Sequence, residues 1–308
     1  MPHGAHRRWP TVWHFLCERL PVLSPEAWAH RLQQGDVLDA VGQPVTADAP
    51  CRPPALLWYW REVPDEPDLP VTVTVLHQDE HLVVADKPHG MAISPVGRHA
   101  RETVQARLQR QLGLDSLSPV HRLDRDTAGV VVFSVQPAER QAYQALFSQR
   151  QVDKVYEAVA PWQPGRTWPQ RRESRIVPGP GPMQMVEGPG PANACTDVDW
   201  LAHQADWAWY RLWPRTGRTH QLRVHMLALG LPLRHDRIYP LLWPQEPPGA
   251  LPALAQPLQL LARSMAFRDP INGMHRVYTS QRDLIWPVQP GAAVQVNPRG
   301  IASRAGSP

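Results

Sequence analysis

The stretch PVHRLDRDTAG, residues 119–129, places one histidine, two arginines and two aspartates directly before the apolar run VVVFS. An aspartate is ionised at neutral pH, and neighbouring arginines favour its charged form. Such a carboxylate is a poor general acid, but it can act as a nucleophile or as a base. Asp124 is therefore the first candidate catalytic residue, and an ordinary salt-bridged strand end is the alternative interpretation.

Two other segments carry side chains that could complete a site around this carboxylate. In RTHQLRVHMLALG, a predicted helix, His220 and Arg223 share one face, where an arginine can bind a carboxylate through two hydrogen bonds. Arg218 is expected at the start of that helix, where free N–H groups favour anions such as phosphate. In the strand-like segment KVYEAVA, Tyr156 points to the face opposite Val155. Taken alone, the arginine also fits a surface helix and the tyrosine a core.

Histidine and aspartate side chains also raise the question of a metal site. His220 and His225 are five residues apart, whereas the two histidines of a helical zinc site are separated by four. The DRD sequence is compatible with magnesium-dependent phosphoryl transfer, but no glycine-rich phosphate loop supports it, and KPHG is not a Walker motif. We predict neither a metal nor a cofactor. The donors of the alternative metal site would be His121, His220, His225, Asp124 and Asp126.

Strand-like and helix-like patterns alternate along the main part of the chain, and these elements must position the candidate residues. Alternating or continuous apolar runs indicate strands, and apolar residues at helical spacing indicate helices. We predict strands in VTVTV, LVVA, VVVFS, KVYEAVA, WAWYRLWP, LQLLARSMAF and HRVYTS, and helices in RETVQARLQRQLG, PAERQAYQALFSQRQ and RTHQLRVHMLALG. The interleaving predicts an α+β fold with a mixed sheet flanked by helices and loops.

The first 70 residues are predicted to form a separate unit. Ser24 caps a helix with Pro25 in its first turn, and Gly35 ends that helix. The acidic, proline-rich segment REVPDEPDLP is the expected linker. We therefore divide the chain into a small unit at residues 1–70, a main domain at 71–296 and a frayed tail at 297–308.

A mild basic bias is compatible with a nucleic-acid partner, since the formal net charge is +4 and the isoelectric point about 9.2. The proline- and glycine-rich residues 161–196 are predicted to form a basic excursion from the core. Its arginines are Arg166, Arg171, Arg172 and Arg175.

The cysteines, the N-terminus and the hydropathy pattern bear on the compartment. Three widely spaced cysteines without a CxxC motif indicate free thiols in a reducing environment. The N-terminal residues lack the apolar core of a signal peptide, and no apolar run is long enough for a membrane span. We expect a cytoplasmic protein that does not associate with a membrane.

Taken together, the segments resemble the RluA-type pseudouridine synthases. HRLDRDTAG is similar to the HRLD-x-x-T-S-G signature of that family, and GRTHQLRVHM is similar to its G-R-x-H-Q-[IL]-R-x-H block. LVVADKPHGM resembles the family's entry strand, VDKVYEAVAP its K-x-Y-x-A strand, and MQMVEGPGPANACT one of its hairpins. The resemblance covers residues 71–290, and residues 11–62 resemble a diverged alpha-L RNA-binding module. The chain departs from the family pattern at Ala128, at Leu261 and at the Arg234–His235 pair before Asp236, where Gly-Asp is usual.

The resemblance implies a largely antiparallel central sheet and an RNA uridine isomerase that needs no metal or cofactor. Asp124 would be the nucleophile or base at the uridine ribose or ring, so that uracil detaches, rotates and reattaches through C5. Arg223 would pair with Asp124, and Tyr156 would stack on the uracil. Arg122 would occupy the position that the flipped uridine leaves.

The implied partner is RNA, with ribosomal RNA expected first and transfer RNA second, bound by a monomer. A catalytically inactive RNA-binding protein on the same fold is the main alternative, and the metal-dependent phosphoryl-transfer enzyme is the other. Salt-sensitive contacts with phosphates are expected from the basic residues around the site and in the excursion. These residues are Arg122, Arg125, Arg218, His220, Arg166, Arg171, Arg172 and Arg175.

Overall fold

The chain divides into two compact units, Met1–Pro64 and Asp65–Pro308. The computed structural model describes residues 9–21, 23–52, 56–59, 66, 68–95, 100–181, 183–242, 252–286 and 292–298. Most of the predicted linker and residues 299–308 of the predicted tail lie outside these ranges.

In its described residues, the first unit has two helices and a two-stranded sheet, with the side chain of Trp28 buried in its core. The predicted helix is confirmed: Oγ of Ser24 accepts a hydrogen bond from the N–H of Ala27, and Gly35 ends the helix with φ of 77°. An additional helix precedes it. The elements are α1 (Val12–Arg19), α2 (Pro25–Gln34), β1 (Val37–Leu38) and β2 (Trp58–Tyr59).

The second unit is built on a large mixed sheet, which confirms the predicted α+β class. Its strands are β3 (Thr74–Gln78), β4 (Leu82–Lys87), β5 (Ser118–Pro119), β6 (Ala128–Ser134), β7 (Val152–Pro161), β8 (Gln170–Pro178), β9 (Met185–Gly188), β10 (Ala194–Gln204), β11 (Trp207–Pro214), β12 (Leu260–Arg268), β13 (His275–Thr279) and β14 (Gln295–Val296). The helices are α3 (Val104–Leu112), α4 (Arg140–Ser148), α5 (Gln221–Ala228) and α6 (Pro252–Ala255).

The main path of the sheet runs β3-β4-β6-β12-β7-β11-β10-β8-β9, with β5, β13 and β14 paired beside it. Neighbours pair antiparallel except at β6 and β12, which pair in parallel through two residues of each strand. This pairing holds together the halves of the sheet that carry Asp124 and Tyr156. Each half packs its apolar side chains against a helix, α3 on the first half and α5 on the second.

Three local predictions need correction. The strand predicted from Val71 begins only at Thr74, because the Arg107 guanidinium binds the carbonyl groups of Leu69 and Val71. The helix predicted from Arg218 begins at Gln221, since the residue before it is left-handed. Residues 161–196 are not an excursion: they include strands β8 and β9, which extend the sheet beyond β10.

Gly129 lies where the two halves of the sheet meet, five residues after Asp124. Its φ is 112°, and a Cβ added there would lie 2.2 Å from the carbonyl oxygen of Ala262 on β12. Only glycine avoids both the unfavourable backbone conformation and the overlap with the neighbouring strand.

Gly129→Ala is expected to lower the free energy of unfolding by about 3 kcal/mol or more, because the clash adds to the conformational strain. Gly113→Ala is the matched control: Gly113 also has a positive φ, 68°, but nothing lies within 4 Å of its added Cβ. The control should lose only about 1 kcal/mol. Urea denaturation of both variants checks the difference, and equal losses would contradict the role of the close strand approach.

Candidate active site

Asp124 lies in the loop between β5 and β6, and this loop is held by a buried lysine at the end of β4. Nζ of Lys87 donates to the carbonyl oxygens of Pro88, Arg125 and Thr127 at 3.0, 2.7 and 2.6 Å. Burial lowers the pKa of Lys87 to about 7, although nearby carboxylates oppose the shift. The lysine therefore fixes the backbone on the C-terminal side of Asp124.

Arg223 connects Asp124 to a second carboxylate. Its Nε and Nη2 donate to the two oxygens of Asp236 at 2.8 and 2.6 Å, a bidentate pair. Its Nη1 lies 3.5 Å from Oδ2 of Asp124. The side chains of Arg223 and Asp236 are almost wholly buried, whereas 22% of the Asp124 side chain is exposed. The predicted pairing of Arg223 with Asp124 is thus present, but Asp236 is the closer partner.

Asp236 is held in turn by backbone groups. Its Oδ1 accepts hydrogen bonds from the N–H groups of Ile238 and Tyr239 at 2.9 and 3.1 Å. Burial lowers the pKa of Arg223, but the carboxylates of Asp236, Asp124 and Asp126 outweigh it and raise the pKa above its already high ordinary value. A permanently charged guanidinium therefore lies behind Asp124.

Tyr156 lies on β7, partly buried between the core that packs on α3 and the core that packs on α5. Burial raises the pKa of its phenol, and the negative charge of Asp124 raises it further. The phenol is accordingly protonated at neutral pH. A planar ring beside an open carboxylate can stack on a flat ligand while the carboxylate reacts.

His220 is the residue immediately before α5, with φ of 53°. Its Nε2 lies 3.9 Å from Oδ2 of Asp124, so both His220 and Arg223 approach the same carboxylate oxygen. Burial lowers the pKa of His220. The structure thus brings Asp124, Arg223 and His220 together. Tyr156 is near enough for the charge of Asp124 to raise the pKa of its phenol.

The predicted basic residues differ in how far they are engaged within the protein. Nε of Arg171 donates to Asp197 at 2.7 Å, and Nε of Arg172 donates to Glu187 at 2.9 Å. Arg125 pairs with the neighbouring Asp126, also at 2.9 Å. Arg166 lies over the ring of Trp168.

Three other predicted arginines are exposed. Arg122 and Arg175 make no ion pair with another residue that the structure describes. Among the same residues, the guanidinium of Arg218 donates only to the carbonyl of Asn193, at 3.2 Å. Unpaired guanidinium groups are the ones best able to bind an anion such as phosphate.

Sequence reasoning did not assign a role in the site to Lys87, Asp236 or Tyr239. Lys87 carried a signal, since it belongs to the KPHG motif, and Asp236 stands where the family pattern has Gly-Asp. His235 takes the place of that glycine with φ of 60°, which explains why glycine is usual there. Tyr239 had no signal in the sequence.

Several further predictions concern metals, cysteines and membranes. Among the described residues, no three His, Cys, Asp or Glu side chains are grouped so that they could hold a metal ion. No disulfide bond joins Cys17, Cys51 and Cys195 in the part of the chain that the structure describes. No helix within the described ranges is long and apolar enough to cross a membrane.

Comparisons with known proteins point to one family. The model of the RNA pseudouridylate synthase family matches residues 81–228. An uncharacterised RNA pseudouridine synthase of Synechocystis is 31% identical over 229 residues, which cover 73% of this chain and 78% of that protein. The dual-specificity RNA pseudouridine synthase RluA of Salmonella typhimurium is 34% identical over 223 residues, which cover 68% of this chain and 91% of the relative.

Solved structures of pseudouridylate synthases share the fold of this chain. Human RNA pseudouridylate synthase domain containing 4 superposes with a TM-score of 0.53 at 28% identity, covering 68% of this chain and 88% of that chain. Human RNA pseudouridylate synthase domain containing 1 shares the fold, with a TM-score of 0.54 at 21% identity, over 70% of this chain and 86% of that chain. On its relatives and its fold, the chain belongs to the RluA-type RNA pseudouridine synthases.

Proposed function

We propose that this synthase isomerises specific uridines in structured RNA, with Asp124 as the nucleophile or base. The observation that carries the proposal is that this carboxylate faces a buried arginine and is also partly exposed. Its Oδ2 faces Arg223 Nη1 at 3.5 Å, while the side chain remains partly open to solvent. A buried cation at this distance can stabilise the negative charge of a carboxylate that remains accessible to a substrate.

The reaction rearranges bonds within the uridine, so its atoms balance without a co-reactant. The N1–C1′ bond breaks, the uracil rotates, and a C5–C1′ bond forms. C5 then loses its hydrogen as a proton, and N1 carries a proton in the product. Asp124 acts at the ribose carbon or the ring in the first step, and Tyr156 supports the detached uracil by stacking on it.

The target uridine must leave its helix or loop before it can reach Asp124. Extrusion of a base costs a few kcal/mol of stacking and pairing, which other contacts offset. Arg122 is exposed and lies two residues before Asp124, so we assign it to the position that the base vacates.

We further propose ribosomal RNA as the leading substrate class, with transfer RNA next. The relative in Salmonella typhimurium is named a dual-specificity enzyme, which supports testing more than one class of RNA. We assign residues 71–296 to the catalytic domain and residues 1–70 to a diverged alpha-L module with its linker. The helix–helix–strand order of α1, α2 and β1 supports that assignment.

The decisive experiment uses RNA carrying tritium at C5 of uridine, because isomerisation releases that tritium to water. Ribosomal and transfer RNA pools from a strain lacking the protein are incubated separately with the enzyme, both with and without EDTA. Release from either pool is the expected result, and the responding pool identifies the substrate class. Activity that EDTA abolishes would contradict the metal-free mechanism, and release from neither pool would contradict these substrate classes.

The exposed arginines should contribute more to RNA binding than the ion-paired ones. Arg218→Ala is expected to weaken binding and to lower the slope of log affinity against log salt concentration by about 1, because one phosphate contact is lost. Arg171→Ala is the matched control on β8, since Arg171 already pairs with Asp197. Filter binding across a salt series measures both variants. Equal changes in the two slopes would show that the intramolecular pairing is irrelevant to binding.

A further inference from the structure

A buried tyrosine links His220 to a backbone group of the β8–β9 hairpin. Oη of Tyr239 accepts a hydrogen bond from the N–H of Met185 at 2.8 Å and lies 2.9 Å from Nδ1 of His220. Both side-chain groups are largely buried, with 5% of Tyr239 and 8% of His220 exposed. Water is therefore poorly placed to replace either contact.

The direction of these hydrogen bonds decides which nitrogen of His220 carries its proton. A phenol oxygen has one proton to give, and Tyr239 Oη already accepts from Met185. Its proton is thus free for Nδ1 of His220, and Nδ1 is the bare nitrogen of a neutral ring when it accepts that proton. In that tautomer Nε2 carries the hydrogen, and Nε2 is the atom that faces Oδ2 of Asp124 at 3.9 Å.

The surroundings favour the neutral ring on balance. Burial, together with the positive charge of Arg223, lowers the pKa of His220, although three carboxylates act in the opposite direction. The charged and titratable groups that face the ring are Asp124, Asp126, Arg223, Asp236 and Tyr239. At neutral pH the ring therefore remains a one-proton donor directed at Asp124.

We propose that Tyr239 and His220 form a positioning pair for the catalytic carboxylate. Tyr239 fixes the tautomer of His220, and the Nε2–H of His220 then joins Arg223 in holding Oδ2 of Asp124. Oδ1 is left as the reacting oxygen. The 3.9 Å separation is longer than a hydrogen bond, and we expect it to shorten in the complex with RNA, since such contacts are often long in the free enzyme.

This inference rests on the proposed role of Asp124, and it assigns to His220 a role different from direct RNA binding. It also accounts for the backbone at this position. His220 has φ of 53°, a conformation that side chains with a Cβ disfavour, so the fold retains a strained residue next to the catalytic carboxylate.

Three substitutions at His220 distinguish a residue that donates a hydrogen bond to Asp124 from one that only adopts the left-handed backbone conformation. Glutamine can place an N–H near the position of Nε2, whereas asparagine tolerates the left-handed backbone better but is too short to reach Asp124. His220→Gln should retain more activity than His220→Asn, and His220→Ala should lose about 10- to 100-fold in kcat with little change in KM for RNA. The opposite order of the Gln and Asn variants would overturn the proposal.

Tyr239→Phe tests the tautomer directly. Long-range 1H–15N correlation spectra of the ring distinguish the two neutral tautomers, and the His220→Gln spectrum identifies the His220 signals among those of the other histidines. We expect the Nε2–H form in the wild type and a loss of that preference in Tyr239→Phe, together with a lower kcat. Tyr143→Phe is the matched control, because it removes a buried hydroxyl that donates to Asp269.

The outcomes also separate this inference from the proposed function. If the wild type releases no tritium from uridine-labelled RNA, the proposed function fails, while the tautomer measurement stands on its own. If the wild type is active but its His220 carries the proton on Nδ1, the positioning pair is wrong. Equal kcat values for wild type and Tyr239→Phe would reject it as well.

Discussion

Asp124→Asn is expected to abolish uridine isomerisation, lowering tritium release by at least about 10⁴-fold. Asparagine has almost the same shape as aspartate but carries no charge, so it can neither attack carbon nor accept a proton effectively. The folded structure should persist, because 22% of the Asp124 side chain is exposed and its loop is held through backbone carbonyls by Lys87. Tritium release measures the loss, and circular dichroism checks the fold.

The control for this prediction is Asp115→Asn, which alters an exposed aspartate in the turn after α3. It should have the activity of the wild type. RNA affinity should be unchanged in both variants, since neither removes a cation. Comparable turnover by Asp124→Asn and the wild type would reject the assignment of Asp124.

Arg223→Met is expected to lower the free energy of unfolding by about 3–5 kcal/mol. The substitution leaves the carboxylate of Asp236 buried, with only 1% of the side chain exposed, and without its bidentate cation. The two backbone N–H groups that bind Asp236 compensate for only part of that charge. Urea denaturation measures the loss. Isomerisation should fall as well, because Asp124 loses the guanidinium behind it.

A double variant separates stability from catalysis. Arg223→Met combined with Asp236→Asn removes both charges but keeps an oxygen that can accept from the N–H groups of Ile238 and Tyr239. Its stability should exceed that of Arg223→Met alone, since no unpaired charge remains buried. Activity should stay low, because the cation facing Asp124 is still missing. Recovery of activity together with stability would show that Arg223 matters only for folding.

Features that depend on neighbouring residues in the chain were predictable. The hydroxyl of Ser24 and the positive φ of Gly35 begin and end α2, and Gly113 ends α3, as local capping rules require. The apolar run of β6 is buried throughout. Local prediction failed where a residue distant in the sequence formed a contact. The start of β3 is an example, since Arg107 donates hydrogen bonds to the carbonyls of Leu69 and Val71.

The amino-acid sequence alone therefore determined the α+β class, most of the elements and the motif that carries Asp124, because periodicity, caps and motifs are encoded over short stretches. Tertiary structure decided which charges meet. The closer partner of Arg223 is Asp236, Lys87 holds a loop about 40 residues ahead of it, and Arg171 is paired with Asp197 across two strands. Such pairings depend on strand register and on helix placement, which the fold as a whole sets and no local pattern records.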